Sequence, residues 1–253
     1  MVTACIRNSG FSAKSNVCAI NKSQCQTESE VLFNPLLLIH AKRCSTFKKK
    51  TMKISLITFT VIALLVSCKS DPNKQIDEGK FNENIYHSDE IGWTMEIPSG
   101  WNVTHRNELS KRTEKGLDAL NETVGFEYDA SELKQLLNFQ KDRLHIFQST
   151  SEPFKLEYEG EWEENNKGIK ELIYETYSSR GIKIDTASTK EKIDNLEFEV
   201  FHIRMYGPDG KIMLYQDMYS KHINGYDFGV NLNYKNDKEK NEMMEAWKNS
   251  TFE

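Results

Sequence analysis

An acidic segment with two aromatic residues is the densest group of side chains that could bind a ligand: Glu157-Tyr158-Glu159-Gly160-Glu161-Trp162-Glu163-Glu164. Carboxylates bind hard cations, and aromatic side chains often anchor protein interfaces. The segment lacks the Asp-x-Asn-x-Asp-Gly order of an EF-hand loop, so calcium is the weaker of these two uses. The same acids would also favour the positive N-terminal end of a following helix. The alternatives are therefore a solvated helix start and an interaction patch made of Glu157, Tyr158, Glu159, Glu161, Trp162 and Glu163.

Histidines and hydroxyl groups give no recognisable catalytic pattern. Five histidines follow position 68, namely His87, His105, His145, His202 and His222. They show neither His-x-x-x-His nor His-Glu-x-x-His spacing, so only a metal site assembled by the fold stays open. Ser99 lies in the turn Pro98-Ser99-Gly100, outside a Gly-x-Ser-x-Gly or Ser-x-x-Lys context. The sequence therefore predicts no catalytic residue, no cofactor and no metal.

Charge and cysteine divide the 253 residues into two unlike parts at Cys68. Residues 1–68 contain 9 Lys/Arg and 2 Asp/Glu, a net charge of +7, whereas residues 69–253 carry −12. All five cysteines lie in the first part, which excludes a disulfide scaffold from the second. An acidic domain without a basic stripe is a poor ligand for phosphates, so no nucleic-acid partner is expected.

The segment before Cys68 has the layout of a secretory signal. Lys48, Lys49, Lys50 and Lys53 precede thirteen uncharged residues, Ile54 to Val66. A helix of that length spans about 20 Å, which is short of the roughly 30 Å hydrocarbon core of a bilayer. A basic start followed by a short apolar run therefore predicts a signal peptide over residues 52–67, with a short signal anchor as the alternative.

The end of this segment, Leu65-Val66-Ser67-Cys68, resembles the bacterial lipobox. The resemblance implies that Cys68 is acylated and becomes the first residue of the mature protein, with the lipid bilayer as its partner. Stable anchoring needs two or more acyl chains, and a lipoprotein cysteine usually carries three. Acylation of Cys68 would therefore be sufficient to hold the protein in the membrane.

The sequence on either side of this signal is predicted to lie outside the globular domain. Residues 1–51 are expected to be a non-structural upstream extension, with a long n-region or an organellar transit peptide as the alternative. Residues 68–85 are polar and contain Pro72 and Gly79, which predicts a lipidated cysteine followed by a flexible tether. Bacteroidetes lipoproteins look similar here, so the expected location is the bacterial cell envelope, with the outer membrane favoured and the membrane face left open.

One globular domain is predicted over residues 86–253. Alternation of Trp93, Met95 and Ile97 with polar residues gives a first strand before the Pro-Ser-Gly turn. In the strand 196–206, the apolar set shifts from Leu196, Phe198 and Val200 to Phe201, Ile203 and Met205, which predicts a bulge or a helix on each face. In the strand 226–234 one face is expected to be buried and the other wet. The remaining predicted elements are a helix from about Asn107 to Thr123, a hairpin of strands 135–140 and 143–150, a helix at about 169–180, strands 182–193 and 211–222, and a helix at 237–248.

This order of elements, with the Pro98-Ser99-Gly100-Trp101 turn and the closing Trp247-Lys248-Asn249-Ser250-Thr251-Phe252, resembles the PsbP-like fold. The resemblance implies an α+β class, an α/β/α sandwich around an antiparallel β-sheet. Members of that family are mostly non-enzymatic binding or assembly factors, so an envelope protein partner is expected. The alternative from another class is an envelope hydrolase or metal-dependent enzyme with an unrecognised site.

Overall fold

Eleven strands, three α-helices and one short 3-10 helix, Pro72–Lys74, make up residues 71–253, the part of the chain that the computed structural model describes. The helices are α1 (Arg106–Val124), α2 (Glu161–Ser179) and α3 (Asp237–Lys248). The strands are β1 (Lys80–Asn82), β2 (Ile85–Ser88), β3 (Trp93–Glu96), β4 (Asn102–Val103), β5 (Lys134–Gln140), β6 (Ile146–Pro153), β7 (Ile184–Ile193), β8 (Leu196–Tyr206), β9 (Ile212–Ile223), β10 (Tyr226–Tyr234) and β11 (Thr251–Phe252). None of the helices in this range is long and apolar enough to cross a membrane.

Seven strands form the main sheet, in the order β4-β5-β6-β10-β9-β8-β7, and every neighbouring pair is antiparallel. The predicted hairpin and the predicted four-strand meander are both confirmed. Asn224 and Gly225 join β9 to β10 with φ values of 52° and 82°, the left-handed geometry that a tight hairpin turn requires.

Two hydrophobic cores lie on opposite faces of this sheet. Phe198 and Val200 of β8 belong to the core that α3 closes with Trp247. Phe201 and Ile203 belong to the core that α2 covers. The predicted phase shift in this strand is therefore explained by a helix on each face, since successive side chains of a strand point to opposite sides. A register irregularity is also present, but it lies further along, between Met205 and Tyr206.

A small second sheet, β1-β2-β3-β11, shares the α3 side of the main sheet. The Trp93 ring lies 5.8 Å from the Trp247 ring and 5.2 Å from the Phe228 ring, so all three layers meet at this tryptophan. The α+β class is confirmed. The structure differs from the predicted α/β/α sandwich in the layer that contains α3. This layer also contains the four short strands of the second sheet, in which the C-terminal strand β11 pairs with β3.

Residues 71–85 belong to the folded unit, so the prediction of a flexible tether is wrong from residue 71 onward. Ile76 and Phe81 are buried in the α3-side core. Asp77 forms an ion pair of 2.8 Å with Arg106, and its backbone N–H donates to the carbonyl oxygen of Gln135. Two isolated apolar residues give no periodic signal, which is why the sequence did not reveal them. The predictions for residues 1–51, for 52–67 and for Cys68 lie outside the described residues.

Asn236 caps α3, and its side-chain oxygen accepts from the backbone N–H groups of Lys238 and Glu239. We expect Asn236→Ala to lower the free energy of unfolding by about 1 kcal/mol, because two N–H groups lose their acceptor. Urea denaturation would measure this change. Asn236→Asp is the control, because aspartate can accept the same bonds; an equal loss in both variants would contradict a capping role.

Candidate functional site

The face of the main sheet that α2 covers carries buried polar residues close to the β9–β10 turn. Glu152 of β6, Asp227 of β10 and His222 of β9 are directly opposite one another on adjacent strands. Asp227 is only 1% exposed, and Asn231, two positions along the same strand, is also buried. The prediction that this face of β10 is wet is therefore wrong.

Two aromatic residues donate hydrogen bonds to the two carboxylates of this row. Trp162, in the first turn of α2, donates its indole N–H to Asp227 Oδ1 at 2.9 Å. Tyr128 donates its hydroxyl to the Glu152 carboxylate at 3.0 and 3.1 Å, and its backbone N–H donates to Asn121 Oδ1 of α1. Both helices are thus tied to the same row of the sheet.

Asp227 has a strongly perturbed carboxyl group. Burial raises its pKa to about 6, against the smaller lowering effects of the Trp162 hydrogen bond and the charge of His222. Among the described residues, Asp227 Oδ2 has no hydrogen-bond partner. The buried carboxylate is therefore costly at neutral pH.

An open cleft of about 410 Å³ lies beside this row, between α1 and residues 127–135. Glu114, Asp118 and Glu127 bring three carboxylates to it, while Tyr128 forms part of its wall. Leu117, Ala130 and Leu133 add an apolar surface. A volume of this size, with apolar lining and a few polar groups, is in the usual range for ligand sites. The carboxylates favour a cationic group carried on an apolar stem.

The acidic segment singled out from the sequence lies at the start of α2. The helix begins at Glu161, earlier than predicted, so Glu161, Glu163 and Glu164 lie in its first turn, where acids complement the helix dipole. Glu157 and Glu159 are exposed in the preceding loop, as is Tyr158, whose hydroxyl donates to Glu164 at 3.0 Å. Trp162 is only 6% exposed and bonded to Asp227, so it is not available as a surface anchor.

Exposed apolar side chains lie on the loop that follows α1, next to the cleft, and on the loop that follows β6. Phe126 follows α1, and Leu156 follows β6. The Tyr128–Glu152 hydrogen bond connects these loops close to both residues. The cleft was not predicted from the sequence. The available signal was that Leu117, Asp118 and Asn121 of the predicted helix are followed directly by a short acidic loop.

A second polar cluster lies on the opposite side of the main sheet, across β7, β8 and β9. His202 Nδ1 is 2.7 Å from Asp217 Oδ1, and His202 Nε2 is 2.8 Å from the hydroxyl oxygen of Thr189. Asp217 Oδ2 accepts from the Tyr234 hydroxyl at 2.8 Å. Burial raises the pKa of Asp217, but the hydrogen bonds from His202 and Tyr234 outweigh it, so the net pKa lies below its ordinary value. Asp217 is thus a buried carboxylate held by several donors.

Two further histidines make hydrogen-bond contacts outside this cluster. His145 Nδ1 lies 2.9 Å from the Asp142 carboxylate, and His222 Nε2 lies 2.9 Å from the carbonyl oxygen of Phe154. Within residues 71–253, no group of three or more His, Cys, Asp or Glu side chains is arranged to hold a metal ion.

Comparisons with known proteins give similarity to solved structures only. No protein-family model matches the chain, and no curated protein matches it. The structure is similar to the solution structure of cyanobacterial PsbP (CyanoP) from Synechocystis sp. PCC 6803, with a TM-score of 0.45 and 9% sequence identity. The match covers 69% of this chain and 96% of that one.

Proposed function

We propose that the chain is a lipid-anchored binding protein of the bacterial cell envelope, whose cleft between α1 and residues 127–135 binds a basic segment of a partner protein. The observation that carries the binding role is the cleft with its three carboxylates and apolar lining. The anchoring part is supported by Leu65-Val66-Ser67-Cys68 and the basic and apolar segments before it.

Anchoring at Cys68 would hold the domain close to the bilayer. The 3-10 helix Pro72–Lys74 begins four residues after Cys68 in the sequence. Four extended residues span at most about 14 Å. The domain would therefore sit at the membrane surface, and the partner segment would have to be accessible there.

Charge complementarity identifies the class of partner. Glu114, Asp118 and Glu127 line the cleft, and residues 69–253 carry a net charge of −12. Such a surface repels acidic chains and attracts Lys- or Arg-bearing ones. Phe126, next to the lining residue Glu127, adds an apolar contact of the kind that holds interface cores. The acidic loop with Glu157 and Glu159 would extend the negative electrostatic potential of the cleft toward α2.

Photo-crosslinking in intact cells tests whether a partner occupies this position. A benzoylphenylalanine at Phe126, which is 57% exposed, is expected to capture a reproducible envelope protein. Tyr174 on α2, at 48% exposure, is the matched control site and should not capture the same protein. Equal yields at both sites, or no adduct at Phe126, would overturn the proposal.

Neutralising the cleft carboxylates gives a quantitative prediction. For a fluorescent peptide of alternating lysine and leucine, the double variant Glu114→Gln/Asp118→Asn is expected to raise Kd by roughly 5- to 30-fold at low salt, since each exposed ion pair contributes up to about 1 kcal/mol. Fluorescence anisotropy would measure the change, which should shrink as salt is added.

The matched control for this measurement is Glu175→Gln/Glu245→Gln, which removes the same charge from exposed positions on α2 and α3. This control should leave Kd within about twofold. An equal loss in both double variants would show that net charge alone attracts the peptide and would contradict a cleft site.

One observation favours the second candidate, an envelope hydrolase. It is the hydrogen-bonded series Thr189, His202 and Asp217, which joins a hydroxyl, an imidazole and a buried carboxylate. Among residues 71–253, no metal-ligating group supports the metal-dependent form of that candidate.

A further inference from the structure

Thr189, His202 and Asp217 have the contacts of a base-activated hydroxyl. A carboxylate only accepts hydrogen bonds, so the 2.7 Å contact places the proton of His202 on Nδ1. In a neutral ring Nε2 is then an acceptor, and the Thr189 hydroxyl donates to it at 2.8 Å. The nucleophile contacts the base, and a third group orients the base, which is the arrangement found in nucleophilic hydrolases.

We propose that Thr189 is a nucleophile for activated acyl esters, with His202 as its general base and Asp217 as the residue that positions His202. Thr189 is exposed on the edge strand β7, so an acyl donor reaches it directly from solvent. The inference does not depend on the cleft, which lies on the other side of the sheet.

The chemistry balances without a cofactor. Thr189 Oγ1 bonds to the carbonyl carbon while its proton passes to His202 Nε2. The bond from that carbon to the leaving oxygen then breaks, and the leaving alcohol takes the proton from His202. Water, deprotonated by the same nitrogen, cleaves the acyl-threonine and regenerates the hydroxyl.

Donors for the developing oxyanion are available at the strand edge. Alternate backbone N–H groups of an edge strand point away from the sheet, so either Thr189 or Lys190 directs one outward. This N–H group would contact the oxyanion in open solvent rather than inside a buried pocket, which limits the substrates to small activated esters.

A similar trio elsewhere in the fold provides an internal contrast. His87 lies 2.8 Å from the Thr94 hydroxyl and 3.0 Å from Asp89. The Asp89 side chain is 71% exposed, whereas that of Asp217 is 6% exposed and additionally held by Tyr234. Only the trio of Thr189, His202 and Asp217 has a fixed, desolvated carboxylate to orient its imidazole.

The test is covalent labelling of the purified protein with a fluorophosphonate probe, in which the threonine oxygen displaces fluoride from phosphorus. Peptide mapping is expected to place the label on Thr189. Thr189→Ala should lose it, and His202→Gln should label at least about 100-fold more slowly because the general base is gone. Thr189→Ser should label at least as fast as the unaltered protein, and Thr94→Ala should not differ from it.

p-Nitrophenyl acetate is the substrate probe for the same variants. Release of nitrophenolate should be lost in Thr189→Ala and kept in Thr94→Ala. Because Thr189 is exposed, its alanine variant is expected to keep the far-UV circular dichroism of the unaltered protein. An unlabelled Thr189, or equal hydrolysis by Thr189→Ala and the unaltered protein, would overturn the inference and show that the trio is a structural hydrogen-bond network only.

Discussion

Replacing Asp227 with asparagine is expected to stabilise the protein at pH 8 by about 3 kcal/mol, although it removes a residue from the centre of the candidate site. Burial raises the pKa of Asp227 to about 6, from the ordinary aspartate value of 3.8. Each unit of difference between the folded and unfolded pKa is worth about 1.4 kcal/mol, so ionising the buried carboxyl costs the folded state about 3 kcal/mol. Asparagine carries no charge and still offers an oxygen to the Trp162 N–H.

The sign of the pH dependence follows from the direction of this shift. A group with a raised folded pKa stabilises the protein fully below its unfolded pKa, and this stability is lost as pH rises through the folded pKa. The difference between Asp227→Asn and the unaltered protein should therefore be small near pH 4, grow up to about pH 6 and then level off. Urea unfolding at several pH values between 4 and 8 would measure it.

Asp217→Asn is the control, because the hydrogen bonds of His202 and Tyr234 lower the pKa of Asp217 in spite of its burial. That variant should be less stable than the unaltered protein at pH 7, and the deficit should shrink as pH falls through the folded pKa. Two buried aspartates on opposite faces of one sheet are thus expected to respond with opposite signs. A destabilised Asp227→Asn at pH 8 would show that its carboxylate has a partner that the geometry does not contain.

Strand alternation explains why the apolar face of β10 could be predicted and its polar face could not. Phe228, Val230 and Leu232 pack in the α3-side core, as their spacing predicts. Asp227 and Asn231 have residue types that normally face water, but α2 lies over them. A buried polar residue and a solvated one look the same in a sequence, because burial is decided by an element far away along the chain.

The candidate site illustrates the same limit. The acidic segment before α2 was visible as composition, but the role of Trp162 depends on a contact with a strand 65 positions later. Likewise, Thr189, His202 and Asp217 come from three strands and meet only because the register of the meander aligns them. Motif spacing detects sites built within one element, whereas these sites are built by strand pairing.

Replacing Cys68 with alanine is expected to abolish lipid attachment and to move the protein from the membrane fraction to the soluble fraction of the envelope. Acylation of a lipoprotein cysteine requires the sulfur atom, which alanine lacks, so the effect should be complete rather than partial. Incorporation of radiolabelled palmitate, together with membrane fractionation, would measure it.

Cys44→Ala is the matched control, since it removes a cysteine from the same basic, cysteine-bearing part of the sequence without touching Leu65-Val66-Ser67-Cys68. It should incorporate palmitate normally. Label that persists in Cys68→Ala, or that disappears in Cys44→Ala, would contradict the assignment of the anchor. Because only about 14 Å of extended chain separates Cys68 from the 3-10 helix that begins at Pro72, loss of the anchor should also reduce crosslinking from Phe126 to any partner that is itself membrane-bound. A partner free in solution would be captured equally well by the unanchored variant, since its encounter with the cleft does not require the membrane surface.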